Sequence, residues 1–401
     1  MSELSYVEKL LDGVEVEWLS LDSVIRSLKT GLNPRKNFKL NTYDAQNYYV
    51  TVREIQNGKI VVSDKTDKVN NEALKLINKR SNLEVGDILF SGTGTIGRIA
   101  VVKEAPINWG VKEGVYVIKP NQELILPDYL AYVLTTQNIV KDYNLKIVGS
   151  PVGSLPMSEL KKIKIPVPTL QVQNAVTRIL DTFTELTAEL TAELTARQQQ
   201  YAYYRDQLLT FEEGEVEWMS LGDIAENLDS KRKPITSSLR EPGDIPYYGA
   251  SGIVDYVKDY IFDGDYLLVS EDGANLIARN TPIAFSISGK NWVNNHAHVL
   301  KFETYAERKY VEYYLNSIDL TPYISGAAQP KLNQKNLNSI KIPNPSLEEK
   351  KRIVSILDKF DALTTSLTEG LPREIELRQQ QYEHYRDLLL SFPKPEVVAH
   401  D

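Results

Sequence analysis

The sequence predicts an α+β protein: two globular segments separated by two long helices that pack as an antiparallel coiled coil, with a circularly permuted, pseudo-twofold internal repeat. Three observations lead to this prediction. The helical segments repeat each other, the globular segments share a framework of short strands, and the chain of 401 residues is too long for one ordinary hydrophobic core.

The repeat is clearest in the stretches that bracket the predicted helices. Lys164–Pro168 (KIPVP) recurs as Lys341–Pro345 (KIPNP), and the pentapeptide RQQQY occurs at both Arg197–Tyr201 and Arg378–Tyr382. The separation grows from 177 residues (341 − 164) to 181 residues (378 − 197). The second copy therefore holds one additional turn of helix.

A third, partial copy lies near the N-terminus, where Val16-Glu-Trp18 matches Val216-Glu-Trp218. The chain thus starts partway through a repeat, and the C-terminal copy stops near the same point. A permuted repeat of this kind closes on itself when its ends meet. We therefore expect the two ends of the chain to lie close together.

The central repeat predicts a helix over Gln171–Phe211, because apolar residues recur every three or four positions. Its middle, Thr187–Leu194, is a tandem Thr-Ala-Glu-Leu tetrapeptide that favours helix. The same spacing predicts a second helix over Leu347–Phe392, kinked at Gly370 and Pro372. The residues predicted to pack between the helices are Ile179, Phe183, Leu186, Leu190 and Leu194 in the first and Ile356, Phe360, Leu363 and Leu367 in the second.

The intervening segments contain short β-branched runs, which predict strands, and amphipathic helices near residues 127–134 and 306–315. Gly86–Ser91 resembles Gly264–Ser270, and each runs into a polar loop, so the two segments share a framework but differ in their loops. The predicted organisation is an N-terminal part of the repeat (1–18), a first globular domain (19–163), a central helical repeat (164–217), a second globular domain (218–340) and a C-terminal helical repeat (341–401).

The formal net charge is −8, which for the chain as a whole argues against a nucleic-acid partner. The charge is unevenly distributed, however. Residues 19–164 carry 21 basic and 14 acidic side chains, a net charge of +7, whereas residues 218–343 carry 13 and 15, a net charge of −2. The absence of cysteine excludes disulfides and thiolate metal sites, and the lack of a leader or a long apolar run predicts a cytoplasmic protein.

Two motifs suggest ligand sites but fail tests of context. Gly92–Gly97 fits the dinucleotide fingerprint G-x-G-x-x-G, yet the β-branched run that follows predicts a strand where that fingerprint requires a helix. A glycine hairpin that lets the backbone approach a ligand is the better interpretation. His296 and His298 lack a third metal ligand at suitable spacing, so we predict no metal site.

Taken together, the two repeats, the two variable α+β segments and the partial N-terminal copy resemble the specificity (S) subunit of type I restriction–modification systems. The tandem tetrapeptide, Tyr204-Arg-Asp206, Tyr385-Arg-Asp387 and Glu374–Tyr382 are similar to the type IC branch in particular. The resemblance covers essentially the whole chain. It identifies the globular domains with target-recognition domains, the variable parts of that family.

The resemblance implies a non-catalytic subunit that specifies a DNA sequence. Each recognition domain would bind one half of a bipartite, asymmetric double-stranded site, and the helices would set the non-specific spacer. Two modification subunits would methylate adenine N6 with S-adenosylmethionine, and restriction subunits joining through them would use ATP and Mg²⁺, so this chain would bind no cofactor itself. Periodicity alone leaves an alternative open, namely a coiled-coil scaffold or adaptor without DNA sequence specificity.

Candidate DNA-binding residues carry groups that pair with base edges or phosphates: hydroxyls, amides, carboxylates and cations on polar loops. In the first domain they are Arg35, Lys36, Ser91, Thr93, Thr95, Arg98, Lys112, Lys146 and Ser150. In the second they are Lys231, Arg232, Lys233, Tyr247, Glu271, Asp272, Asn275, Arg279, Asn294, Asn295, His296, Gln329 and Lys331.

Overall fold

The computed structural model describes residues 13–34, 37–106, 108–278, 282–326, 330–366 and 368–392, without the side chains of Ala274, Asn275 and Ala278. The chain divides into two compact units. Unit 1 comprises Met1–Glu189 and Glu376–Asp401, and unit 2 comprises Leu190–Ile375. Within the described ranges, no helix has a stretch long and apolar enough to cross a membrane.

Unit 1 contains the first globular segment. In chain order its elements are β1 (Glu17–Ser20), α1 (Leu21–Val24), β2 (Ile25–Thr30), β3 (Asn47–Val50), β4 (Ile55–Gln56), β5 (Lys59–Ile60), β6 (Lys68–Val69), α2 (Asn71–Ser81), β7 (Ile88–Ser91), β8 (Ile99–Val101), β9 (Trp109–Val111), β10 (Val115–Pro120), α3 (Pro127–Thr135), α4 (Gln137–Asn144), α5 (Met157–Lys162), β11 (Lys164–Val167) and the first half of α6 (Leu170–Leu209).

The central sheet of unit 1 is antiparallel, with strand order β2-β10-β7-β8. Every residue of β7 is buried, and alternate side chains enter different cores because successive strand residues face opposite sides of a sheet. Ile88 and Phe90 belong to the core that also contains α3 and α4, whereas Leu89 belongs to a second core that contains Val50 and Val111. A sheet covered on both faces explains the short, fully apolar strands in the sequence.

Unit 2 contains the second globular segment. Its elements are β12 (Glu217–Ser220), α7 (Leu221–Ile224), β13 (Glu226–Asn227), β14 (Pro242–Gly249), β15 (Gly252–Val257), β16 (Phe262–Asp263), β17 (Tyr266–Ser270), α8 (Gly273–Ala278), β18 (Ala284–Ile287), β19 (Lys290–Val293), β20 (Ala297–Lys301), α9 (Tyr305–Ser317), α10 (Gln334–Asn338), β21 (Lys341–Asn344) and α11 (Leu347–Thr365). The last helix, α12 (Gly370–Leu389), begins in unit 2 and ends in unit 1.

The two units repeat one architecture, which confirms the internal repeat predicted from the sequence. The sheet order β13-β20-β17-β18 in unit 2 matches β2-β10-β7-β8 in unit 1. The small sheets beside the helices also correspond, with Trp18 opposite Pro166 in β1·β11 and Trp218 opposite Pro343 in β12·β21. A parallel pair occurs in each unit, β3·β9 and β14·β19.

The first long helix is as predicted, because α6 is continuous over 40 residues. The prediction of a single kinked second helix is wrong: α11 ends at Thr365, and α12 begins at Gly370. Ser366 ends α11 with extended backbone, and its hydroxyl accepts hydrogen bonds from the backbone N–H groups of Thr368 and Glu369 at 3.4 and 3.0 Å, which forms a local turn between the helices. Gly370, the first residue of α12, has a φ of +80°, outside the right-handed helical region.

Aromatic contacts pair α6 with the C-terminal helices inside each unit. In unit 1 Phe183 stacks on Tyr385 with ring centroids 5.3 Å apart, and in unit 2 Tyr204 stacks on Phe360 at 5.7 Å. Along α6, Phe183 precedes Tyr204, whereas their partners occur in the reverse order, since Tyr385 follows Phe360. This reversed order is that of an antiparallel helix pair. Ile179, Leu186, Leu190, Leu194, Ile356 and Leu363 are half-buried, and Leu367 lies outside the described residues.

The described ends of the chain share one core in unit 1. Val14, Val16 and Trp18 pack against the same apolar cluster that contains Leu389 and Phe392. The expectation that the ends of the permuted repeat meet is therefore confirmed for these segments.

Candidate nucleic-acid interface

The glycine-rich segment Gly92–Gly97 connects the antiparallel strands β7 and β8, so the hairpin predicted from the sequence is confirmed. Ser91 closes its base: the Ser91 hydroxyl accepts a hydrogen bond from Arg98 N–H at 2.7 Å, and the Ser91 carbonyl accepts one from Gly97 N–H at 2.9 Å. Ser91 is fully buried, whereas Thr93 and Thr95 are exposed. The hairpin thus presents two hydroxyls on a closed backbone loop.

A second hairpin, residues 148–154, lies beside the first. Val148 and Ser154 exchange backbone hydrogen bonds of 2.9 and 2.8 Å, and Gly94 N–H donates to the Gly153 carbonyl at 2.9 Å. The hydroxyls of Thr93 and Ser154 are 3.2 Å apart. We call residues 92–97 together with 148–154 the unit 1 loop pair; it brings Thr93, Thr95 and the exposed Ser150 into one surface.

Three predicted cations of unit 1 lie on this loop pair or next to it. Lys112 is exposed in the turn that precedes β10, two residues from Gly114, whose carbonyl accepts a hydrogen bond from Gly92 N–H at 2.8 Å. Arg98 is also exposed and uses one guanidinium N–H to donate to the Val52 carbonyl at 3.2 Å. Lys146 forms an ion pair with Asp142 on α4. The predicted Arg35 and Lys36 lie outside the described residues.

Unit 2 repeats this arrangement at the level of single hydrogen bonds. Ser325 and Lys331 exchange backbone hydrogen bonds of 2.9 and 2.8 Å, as Val148 and Ser154 do. Gly273 N–H donates to the Pro330 carbonyl at 2.7 Å, and Leu332 N–H donates to the Glu271 carbonyl at 3.0 Å. We call residues 271–278 together with 325, 326, 330 and 331 the unit 2 loop pair.

The unit 2 loop pair carries charged side chains, beside the exposed Ser325 and Ile277. Glu271 binds two cations, Arg232 at 3.1 Å and Lys331 at 3.3 Å. Arg232 also contacts Asp229 at 3.3 Å and donates to the Ala297 carbonyl at 2.8 Å, and only 13% of its side chain is exposed. Arg232 is therefore part of a mostly buried network and not of an exposed phosphate-type cluster, which leaves Lys231 and Lys233 exposed beside it.

The two histidines have separate partners. His298 is 1% exposed, with Nδ1 2.5 Å from Asp229 and Nε2 2.7 Å from the Leu332 carbonyl. Burial alone would raise the pKa of Asp229, but the contacts with His298, Val299 N–H and Arg232 outweigh it and lower that pKa. His296 is exposed and lies 3.1 Å from Asp272. Within the described ranges, no three His, Asp or Glu side chains gather as a metal site would require.

Both units share an anchoring contact that was not predicted from the sequence. Tyr116 on β10 donates to the Leu155 carbonyl at 2.5 Å, and His298 on β20 contacts the equivalent carbonyl of Leu332. Both contacts hold the end of the second hairpin against the central sheet. The paired motifs Gly149–Leu155 and Gly326–Leu332 were the available signal, but neither motif identifies the anchoring side chain.

Asn294, Asn295 and Tyr247 complete the predictions for unit 2. Asn294 is 8% exposed and its side-chain carbonyl accepts a hydrogen bond from His296 N–H at 2.8 Å, so it shapes the loop that exposes Asn295. Tyr247 is 1% exposed in the core, and we do not retain it as a candidate contact. The side chain of Asn275, and Arg279 and Gln329, lie outside the described part of the chain.

Each unit therefore exposes polar groups on loops that adjoin its central sheet. Hydroxyls, amides and carboxylates at such a surface can pair with base edges, and exposed lysines can contact phosphates. Thr93, Thr95, Ser150 and Lys112 form the surface in unit 1. Asp272, Asn295, His296 and Lys331 form its counterpart in unit 2.

Comparison with known proteins identifies the family of the chain. A family model for the type I restriction modification DNA specificity domain matches twice, over residues 14–197 and 213–377. Each match contains one globular segment and the helical segment that follows it. The family repeat thus coincides with the internal repeat of the structure.

Relatives extend the match over the whole chain. The chain is 36% identical over 432 residues to the type I restriction enzyme EcoR124I/EcoR124II specificity subunit of Escherichia coli, covering 100% of each. It is 33% identical over 389 residues to the EcoprrI specificity subunit of E. coli, covering 92% of this chain and 93% of that protein. These two relatives confirm the resemblance to the type IC branch.

A solved structure shows the same fold at low sequence identity. The type I restriction–modification S subunit from M. genitalium superposes with a TM-score of 0.58 at 17% identity, over 96% of this chain and 98% of that one. A chain from a study of complex assembly in the type I restriction–modification system gives a TM-score of 0.59 at 17% identity, over 95% and 98%. With the double family match and the full-length relatives, the chain belongs to the family of DNA specificity subunits of type I restriction–modification enzymes.

Proposed function

We propose that unit 1 and unit 2 each recognise one half of a bipartite, asymmetric DNA site. The observation that carries this proposal is one framework repeated with different loop chemistry. Both loop pairs are held by equivalent backbone hydrogen bonds, Gly94 to Gly153 and Gly273 to Pro330. Their exposed side chains differ, and different donor and acceptor patterns suit different base sequences. The recognition domains of this proposal are residues 19–163 and 218–340.

Unit 1 would use hydroxyls and cations. Thr93, Thr95 and Ser150 can donate to or accept from base edges, and Lys112 can neutralise a phosphate. Arg98 donates one guanidinium N–H to the Val52 carbonyl, which leaves its other N–H groups for DNA. Arginine is suited to the O6 and N7 atoms of guanine. The net charge of +7 over residues 19–164 favours DNA at this domain.

Unit 2 would use amide, imidazole and carboxylate groups. Asn295 is exposed, and an amide of this kind pairs with adenine through two hydrogen bonds. Glu271 would orient Arg232 and Lys331 instead of contacting a base, since both cations already occupy its carboxylate. Because this domain has a net charge of −2 over residues 218–343, we expect it to depend on partner subunits to hold DNA.

The helices α6, α11 and α12 would set the length of the non-specific spacer, since α6 is one continuous helix of 40 residues. Residues 1–18, 164–217 and 341–401 would form the helical repeat. Its acidic stretches, such as residues 165–217 with 3 basic and 9 acidic side chains, suit protein partners better than DNA.

Two modification subunits would dock on this repeat and methylate adenine N6 in each half-site. They would hold S-adenosylmethionine, and restriction subunits joining through them would supply ATP- and Mg²⁺-dependent translocation and cleavage. The chain itself would contribute recognition and no catalysis. The support is that its full-length relatives are named specificity subunits of type I restriction enzymes.

Co-expression with the modification subunits of the same system tests this function. Mapping of methylated adenines in the DNA of those cells is expected to give one bipartite sequence with a fixed spacer. Cells that express the modification subunits without this chain are the control, and we expect no sequence-specific methylation there. A complex that forms but methylates DNA without sequence preference would instead support a scaffold role.

A further inference from the structure

The second hairpin of unit 1 exposes apolar side chains within an otherwise polar surface. Val148 is 56% exposed and Val152 is 61% exposed. The opposite side of the hairpin is packed, because a methyl group built on Gly153 would meet Ile147 at 3.0 Å and Ile96 at 3.7 Å. The hairpin therefore has a buried apolar side and an exposed apolar patch, formed by Val148 at its closing hydrogen-bonded pair and by Val152 in its turn; we call these two side chains the apolar tip.

The backbone holds this tip in place. Val148 and Ser154 exchange two hydrogen bonds, and Leu155 N–H donates to the Gly92 carbonyl at 2.8 Å. The Gly94 to Gly153 hydrogen bond ties the tip to the glycine hairpin. A tip fixed in this way loses little conformational entropy when a ligand covers it, so its apolar area contributes to binding almost in full.

The surroundings of the tip indicate what covers it. Lys112 and Arg98 are exposed on the adjoining loops, and Thr93 and Ser150 add hydroxyls. A small apolar patch on a surface that also carries cations and hydroxyls is complementary to a polyanion with an isolated apolar group. The major groove of DNA presents one such group among its base edges, the 5-methyl group of thymine.

We propose that Val148 and Val152 recognise the 5-methyl group of a thymine in the half-site bound by unit 1. This inference rests on the proposed function and makes it more specific. It concerns unit 1, because the position equivalent to Val148 in unit 2 is Ser325.

A double-mutant cycle between protein and DNA tests the contact. The complex of this chain with its modification subunits is titrated with duplexes that carry the mapped methylation site. Thymines are replaced one at a time by deoxyuridine, which lacks only the methyl group. At one position the replacement is expected to weaken binding by the wild-type complex about fourfold, from about 0.8 kcal/mol for a methylene-sized apolar group.

The variant carrying Val148→Ala and Val152→Ala is expected to bind the thymine and deoxyuridine duplexes equally. Val85→Ala is the matched control, since Val85 is 52% exposed and precedes β7 at the end remote from the loop pair. The control variant should retain the fourfold effect. Both sets of substitutions are at exposed positions, so folding is expected to be preserved.

Three results overturn the inference while leaving the proposed function intact. They are a mapped site in which no thymine methyl affects binding, an equal deoxyuridine effect in wild type and the double variant, and loss of a modification subunit from the double variant. The second result would fit a steric wedge between base pairs, and the third a protein-docking surface. Absence of any bipartite methylated sequence refutes the proposed function, and the inference fails with it.

Discussion

Helix α6 offers a quantitative test of the spacer role, because its tandem tetrapeptide is a natural unit of length. A third Thr-Ala-Glu-Leu inserted after Leu194 adds about 6 Å to the helix at ~1.5 Å per residue. One base pair occupies ~3.4 Å along DNA, so the insertion matches one to two base pairs. It also adds about 40° of rotation beyond a full turn, against roughly 70° for two base pairs, and the helices must absorb about 30°.

We therefore expect the spacer to lengthen by one to two base pairs while both half-sites stay unchanged. The assay is the mapping of methylated adenines in cells that express the variant with its modification subunits. The same four residues inserted after Gly214, in the loop between α6 and β12, are the control and should leave the spacer unaltered, since nothing lies within 4 Å of a Cβ at that glycine. An unchanged spacer for the α6 insertion would refute the ruler role of the helices.

Three further predictions concern stability and are measured by urea unfolding. Tyr132→Phe removes a hydrogen bond of 2.6 Å to Asp181 and should lower the free energy of unfolding by about 1–2 kcal/mol; an unchanged free energy would contradict this and would mean that water takes the place of the tyrosine hydroxyl at Asp181. Burial raises the pKa of Tyr201 to about 12, so its contribution to the free energy of unfolding is complete below pH 10 and is lost between pH 10 and 12. In Tyr201→Phe the free energy of unfolding should fall less over that pH range. The same pH dependence in the variant and the wild type would contradict the shift. Lys350 is buried at the position that corresponds to the buried Gln173 of unit 1 (350 − 177). The free energy of unfolding of Lys350→Gln should therefore stay within about 1 kcal/mol of wild type, whereas that of Lys350→Ala should fall by about 2–3 kcal/mol. Equal losses in the two variants would contradict the equivalence.

The repeated framework was predictable from the sequence because periodicity and local turn chemistry determine it. The continuous α6 follows from its apolar spacing, and the Gly92–Gly97 hairpin follows from β-branched runs on both sides of it. The break between α11 and α12 was underestimated as a kink. Extended backbone at Ser366 and a left-handed φ at Gly370 separate the two helices, and that combination depends on backbone geometry that periodicity does not report.

The candidate interface was predictable as a set of loops but not residue by residue. Arg232 and Tyr247 have the side chains expected of DNA contacts, yet tertiary partners take both into the interior. Conversely, Val148 and Val152 are exposed apolar residues, which a criterion based on polar groups does not select. Whether a loop side chain faces solvent or a neighbouring strand depends on pairing between residues distant in sequence, such as Ser325 with Lys331 and its unit 1 equivalent.

The central claim is that each unit recognises its own half of one DNA site. The most direct measurement is the mapping of methylated adenines for two variants, Thr93→Ala with Thr95→Ala in unit 1 and Asn295→Ala with His296→Ala in unit 2. All four side chains are exposed, so these changes should not disturb folding. We predict that each variant relaxes the sequence of one half-site, and that the two variants affect opposite halves. Relaxation of the same half by both variants, or of both halves by either one, would contradict the account.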